Sequence, residues 1–159
     1  MFRHTMFGLT ACTALALPAM AQDESDLMAV LQADNGFSTF VSLIDDAGLT
    51  QTLMNDGPYT LFAPRNESFD KMDPAKLSSL KEPENQGALQ ELIWLHIVRG
   101  QYDLTQLQAA KSVTTVGDQS LQITTGDSGT MVNGTLIVTP DQEASNGYLD
   151  VVAGVLAPD

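Results

Sequence analysis

The chain has 159 residues, with 20 acidic against seven basic side chains and a formal net charge of −13. That balance excludes the basic face that nucleic-acid phosphates demand and disfavours adsorption to anionic lipid, while basic partners and cations stay open. One cysteine and two histidines leave little material for disulfide, zinc or Cys–His chemistry.

In chain order, the first feature is a targeting segment. Arg3 supplies a positive start, Met6 to Leu17 is almost wholly apolar or small, Pro18 breaks it, and Ala19-Met20-Ala21 is an A-x-A cleavage pattern. Residues 1–21 are therefore expected to be a secretory signal peptide, and residues 22–159 a single domain. The apolar run is shorter than the ~20 residues of a membrane-spanning helix. Leu9-Thr10-Ala11-Cys12 looks like a lipobox, but Cys12 lies in the middle of the run with too little of it upstream. Cleavage after Ala21 removes His4 and Cys12, so no disulfide can form within the exported chain. It also removes Arg3, which makes the charge −14.

Asp26 to Ala33 carries Leu27, Val30 and Leu31 at helical spacing and stops at Asn35-Gly36. Phe37, Phe40, Val41, Ile44 and Ala47 mark a second helix with Gly48 beyond its end. Asp45-Asp46 lies near that end, without the further ligands of a calcium loop. Leu49 to Met54 gives a turn or two of helix before the dense turn signal Asn55-Asp56-Gly57-Pro58. Tyr59 to Phe62 is a strand ended by Pro64, which lacks an N–H and biases Ala63 towards extended backbone. Asn66 is expected to cap the helix that follows around Phe69.

Asp73-Pro74 reads as N-cap and first residue of a short helix to Leu80. Gln86 to Ile97 is the strongest helical pattern, with Ala88, Leu89, Leu92, Ile93, Leu95 and Ile97 on a broad apolar face. Arg99-Gly100 ends it. Asp103 to Ala110 adds another helical turn. Strands are expected at Val113–Val116, Ser120–Thr125, Thr130–Val132, Thr135–Thr139 and Leu149–Val155, with tight turns at Asn133-Gly134 and Asn146-Gly147. Helices first and strands later give an α+β class, with an antiparallel assembly covered by a helical half.

These residues resemble the fasciclin domain family from Phe37 to Pro158. Thr60-Leu61-Phe62-Ala63-Pro64 followed by Asn66, Glu67 and Phe69 is similar to its first signature block. Glu84-Asn85 before Leu89 resembles the approach to the central helix, and Leu92 to Gly100, with His96 inside it, resembles the Tyr-His block. Val132-Asn133-Gly134, Ile137-Val138, Asn146-Gly147, Val151-Val152 and Val155 to Pro158 resemble the last block. The chain departs from the pattern at Leu95, where the family has tyrosine, at Arg99 in place of proline, and at Asp150 in place of histidine. The resemblance implies a wedge of two antiparallel β-sheets with a cluster of short helices. It also implies a secreted adhesion or matrix-binding module without catalytic, cofactor or metal residues.

The residue chemistry fits that implication. After cleavage only His96 could serve a Ser-His-Asp or Cys-His mechanism, and its place beside an apolar helix face favours a buried, hydrogen-bonded ring. The alternative is a secreted hydrolase that uses His96 or paired carboxylates; the 20 acidic residues leave glycoside hydrolysis open, but no pair among them is marked out. Phosphate-cradling glycine loops are absent. The candidate binding residues are Trp94, Leu95 and His96, with the loops 126–129 and 141–147 as further exposed places. The expected partner is a cell-surface or matrix protein or polysaccharide, with no nucleic acid and no membrane insertion after cleavage.

Overall fold

Tyr59–Pro64 forms a strand, β1, whose alternate side chains enter two separate cores. Leu61 and Ala63 join one, and Phe62 joins the other. The structure, a computed structural model, describes residues 25–156. The expected signal peptide, with His4 and Cys12, and Pro158 lie outside those residues. Around β1 the described chain runs α1 (Leu27–Ala33), α2 (Ser38–Asp46), α3 (Thr50–Asn55), then after β1 α4 (Asn66–Asp70), α5 (Pro74–Leu80) and α6 (Gln86–Leu95). It continues through β2 (Ile97–Arg99), α7 (Leu104–Ala110), β3 (Ser112–Thr114), β4 (Ser120–Gly126), β5 (Gly129–Val132), β6 (Thr135–Ala144) and β7 (Gly147–Val152).

Several element ends follow from single side chains. The Asp26 carboxylate accepts the Ala29 N–H at 2.8 Å and starts α1. Asp73 does the same for Ala75 at 2.9 Å, with Pro74 at the position that needs no N–H. Asp103 and Gln106 exchange reciprocal bonds as a capping box on α7. Asn133 and Gly134 take φ of 47° and 78°, the turn between β5 and β6 that their dipeptide predicts. Some expectations change: the strand expected at Val113–Val116 is Ser112–Thr114, and the one expected at Thr135–Thr139 runs on to Ala144. Ile97 belongs to β2 and not to α6, because the chain leaves the helix at His96 and pairs with β1. The last strand ends at Val152, and Leu156 instead docks beneath α6.

The strands hydrogen-bond in the order β2-β1-β7-β6-β5-β4-β3. Beyond β3, Thr115 bridges to Val98 of β2, and the Val116 N–H donates to the Ile97 carbonyl at 2.9 Å. The two ends of the order therefore meet, and the sheet curls nearly into a barrel. The α+β class is the expected one, and within it the pairing of β1 with β7 is parallel. The strands form one continuous order where the resemblance implies two antiparallel sheets, because β6 joins both sides: its first residues pair with β5, and past two bulges it pairs with β7. Phe62, Val98, Leu121, Ile123, Val132 and Val152 fill the strand-lined core. Leu27, Leu31, Phe40, Ile44, Phe69 and Ile93 fill the helix-side core. No single helix among the described residues is long and apolar enough to cross a membrane.

Asn66 does something other than cap its own helix. Arg65 occupies that cap position and makes no side-chain bond there. The Asn66 Oδ1 instead accepts the Thr39 N–H at 3.0 Å in the first turn of α2, while its amide donates to the Asn35 carbonyl at 2.9 Å. α2 has no side-chain cap from its own N-cap residue, Phe37, so its orphan donor is satisfied from 27 residues away. Arg65 adds a second clamp, 5.2 Å from the centre of the Phe37 ring and 3.4 Å from Asp34. Replacing Asn66 with alanine should cost about 1–2 kcal/mol, the worth of a lost cap plus an unpaired amide. Urea unfolding would read this as a lower midpoint. A shift under about 0.5 kcal/mol would remove the tertiary cap from the account.

Candidate functional site

α6 sets the frame of the site. Its apolar face is buried through Leu89, Ile93 and Leu95, and its last turn delivers Trp94, Leu95 and His96 in sequence. Consecutive helical residues point about 100° apart, so the three cannot share one surface. His96 is buried: its Nδ1–H donates to the Leu92 carbonyl at 2.7 Å, and its Nε2 accepts the Leu156 N–H at 3.0 Å. Its ring lies 5.5 Å from that of Phe40. Leu95 is also buried, and only Trp94 among the three reaches solvent, half-covered. Sequence order brings the trio together, and the helix separates them again.

The His96 ring is thus a staple between α6 and the C-terminal segment. Burial pushes its pKa from 6.5 to about 4, against the pull of the Leu92 carbonyl. A neutral imidazole with one donor and one acceptor matches these two partners at neutral pH.

Outside α6 two recesses lie side by side. One, about 240 Å³, is lined mainly by apolar side chains including Leu80, Leu92, Leu95 and Leu156, with Lys76 and Glu91 also at its walls. The other, about 250 Å³, lies between Trp94 and residues 115–119. Glu91, Leu95 and Gln119 border both. The sequence singles out Trp94 but gives no signal for Lys76, Glu91 or Gln119, because their convergence depends on α5, α6 and the β3–β4 turn meeting in space. Among the described residues, no three His, Cys, Asp or Glu side chains converge as metal ligands would.

The remaining signature residues build the frame. Phe62, Ala63 and Phe69 are core, Pro64 ends β1, and Asn66 caps α2. Gly100, at φ 99°, turns the chain after β2, and its carbonyl accepts the Thr60 hydroxyl at 2.9 Å. Asn133 adds a side-chain bond from the Gln122 N–H at 2.8 Å to its turn role with Gly134. Asn146 binds three elements: its Oδ1 accepts the Leu27 N–H at 2.9 Å, its amide donates to the Leu53 carbonyl, and its own carbonyl accepts the Tyr59 N–H. Gly147 lies against Tyr59 in the β1–β7 pair. The turn before β7 is therefore fixed from below. In the 126–129 loop, Asp127 and Ser128 stand exposed.

Asp150, at the position that departs from the family pattern, is buried on β7. Its Oδ1 accepts the Asp141 N–H at 2.8 Å, and its Oδ2 has no partner. Burial raises its pKa from 3.8 to about 7; the Asp141 N–H opposes this and the Asp141 charge adds to it. His96 and Asp150 pull stability in opposite directions with pH. The His96 pKa is depressed on folding, so its contribution is present above 6.5 and lost as pH falls towards 4. The Asp150 pKa is raised, so its contribution is present below 3.8 and lost as pH rises towards 7. Between about 4 and 6.5 the two should largely cancel. Asp150→Asn should leave the His96 slope alone, worth about 3 kcal/mol across that window. Urea midpoints at pH 4.5 and pH 6.5 measure it, and equal midpoints in the variant would contradict the assignment.

Comparison with known proteins places this frame. The fasciclin domain model matches residues 35–158. The chain is 29% identical to Synechocystis protein sll1483 over 149 residues, covering 94% of this chain and 82% of that protein. It is 33% identical over 137 residues to the rabbit transforming growth factor-beta-induced protein ig-h3, covering 83% of this chain but 19% of that protein. The fold matches a FAS1 domain pair from the insect cell adhesion molecule Fasciclin I. The TM-score is 0.59 at 18% identity, over 77% of this chain and 45% of that one.

Proposed function

We propose that this chain, which belongs to the fasciclin domain family, is exported and acts as a non-catalytic binding module at a cell surface or in a matrix. Its contact surface is the pair of recesses along α6. The signal-like residues 1–21 support export, with cleavage after Ala21. The observation that carries the reading is the division of labour at the end of α6. His96 has both ring nitrogens engaged inside the fold, while Trp94 and the wall formed by Glu91 and Gln119 line recesses outside it. A hydrolase working through His96 would need the ring to exchange protons near neutral pH and to reach substrate. Its depressed pKa and its burial support neither. The partner is a protein or polysaccharide, and the charge of −13 weighs against nucleic acid.

The test is capture of envelope and matrix components by the exported protein at two salt concentrations. Glu91→Lys and Gln119→Arg place charge in the shared wall without removing core packing, and each should cut capture severalfold. Val138→Ser, at an exposed position on β6, should leave capture unchanged. Salt-sensitive capture would identify a basic partner, and salt-insensitive capture an apolar contact. Capture indifferent to both wall variants would move the contact surface elsewhere. Hydrolase turnover lost in a folded His96→Ala variant would overturn the non-catalytic reading.

A further inference from the structure

Among the described residues, Asp150 Oδ2 is the buried side-chain polar atom that finds no hydrogen-bond partner. The register explains it. Thr139 pairs with Val151 and Gln142 with Leu149, so Pro140 and Asp141 together oppose Asp150 across a bulge. Asp141 donates its N–H to Oδ1 at 2.8 Å. Pro140 has no N–H to offer the other oxygen. Asp141 stands at φ 58°, and its own carboxylate accepts the Leu104 N–H at 2.7 Å, at the first residue of α7. A buried carboxyl, a strand bulge and a helix start therefore form one hydrogen-bonded series.

We propose that the Pro140–Asp141 bulge and the first turn of α7 form a latch, held shut by the protonated Asp150 carboxyl and released when that proton passes to solvent. An ionised carboxylate with one bare oxygen gains from hydration, and the β6–β7 ladder is interrupted at the bulge opposite it. Moving the Asp141 backbone outward withdraws its carboxylate from Leu104.

Among the described residues the charge acting on Asp150 is negative, so it keeps the proton in place and repels Asp150 once the carboxyl has ionised. β6 contributes Asp141, whose negative charge opposes ionisation, while Glu143 on the same strand is exposed and pairs with Tyr148. β1 places uncharged Phe62 opposite Asp150. At the start of α7 the Asp103 carboxylate is taken up by the Gln106 N–H. α1, which also meets β7, contributes its residues to the other core and directs Asp26 to its own N-terminus. Among the described residues no cation acts on Asp150, and burial places the transition near neutral pH.

Amide NMR spectra of the full chain between pH 5 and 9 test the latch. The Asp141 and Leu104 amides should shift with one midpoint near 7, and their exchange protection, corrected for intrinsic rates, should fall at least tenfold above it. Asp150→Asn should abolish that midpoint. If that variant fails to fold, Asp141→Asn decides: it keeps the acceptor for Leu104, removes the like charge, and should lower the midpoint. Amides that do not move, a midpoint that survives Asp150→Asn, or one unchanged in Asp141→Asn would overturn the proposal.

Discussion

Replacing Gly147 with alanine should abolish folding or leave the chain with little of its stability. Gly147 pairs with Tyr59 where β7 runs beside β1, and a β-carbon built there would overlap the Tyr59 carbonyl oxygen and lie 2.7 Å from its carbon. The atoms in the way are backbone, so no side chain can rotate to make room. Nor can Tyr59 retreat, since its N–H is held by the Asn146 carbonyl at 2.9 Å and its strand is paired on the other side with β2. Asn146 in turn holds α1 and α3. The expected loss exceeds the about 1–3 kcal/mol of an ordinary overpacked methylene, against the about 5–15 kcal/mol of a whole domain. Far-ultraviolet circular dichroism and urea unfolding of the purified variant measure it. A native spectrum with a loss under about 1 kcal/mol would show that β1 and β7 are not in this register.

Phe62→Ala carries the second large effect. Phe62 is fully buried and stands between Leu121, Ile123, Val132 and Val152 in the strand-lined core, so truncation removes a ring that the nearly closed barrel cannot collapse to fill. The expected cost is about 3–5 kcal/mol by urea unfolding. Under about 1 kcal/mol, the residue would have to lie at a surface or in a core loose enough to refill. Phe69 belongs to the other core, and the two phenylalanines of one signature block thus anchor opposite sides of β1.

What the sequence discloses and what it hides divide along the range of the interaction. Asp73 with Pro74, and Asn133 with Gly134 in their turn, act on residues within three or four positions, so those roles can be read directly, whereas the bond of Asn133 to Gln122 cannot. Asn66 looks like a local cap and works at long range, because the next residue is already helical and the open donor belongs to α2. Ile97 continues the apolar spacing of α6, and only its pairing with β1 makes it a strand. The parallel contact of β1 and β7 joins segments more than eighty residues apart, and no local pattern encodes it. The candidate site follows the same rule: Trp94 and His96 stand out as rare residue types, but burial separates them. Lys76, Glu91 and Gln119 are ordinary until three elements bring them to one recess. Asp150 stands out only as a departure from the family pattern, and its bare oxygen depends on a proline across the bulge.

Both ring nitrogens of His96 are engaged inside the fold, which makes this histidine part of the frame. Long-range proton–nitrogen NMR of the imidazole rings in the full chain, with His96 assigned by its loss in His96→Gln, tests this most directly. The expected result is a neutral ring protonated at Nδ1, with Nε2 unprotonated as acceptor, titrating at about pH 4. A His96 midpoint near 6.5, the value of an unburied imidazole, would contradict it.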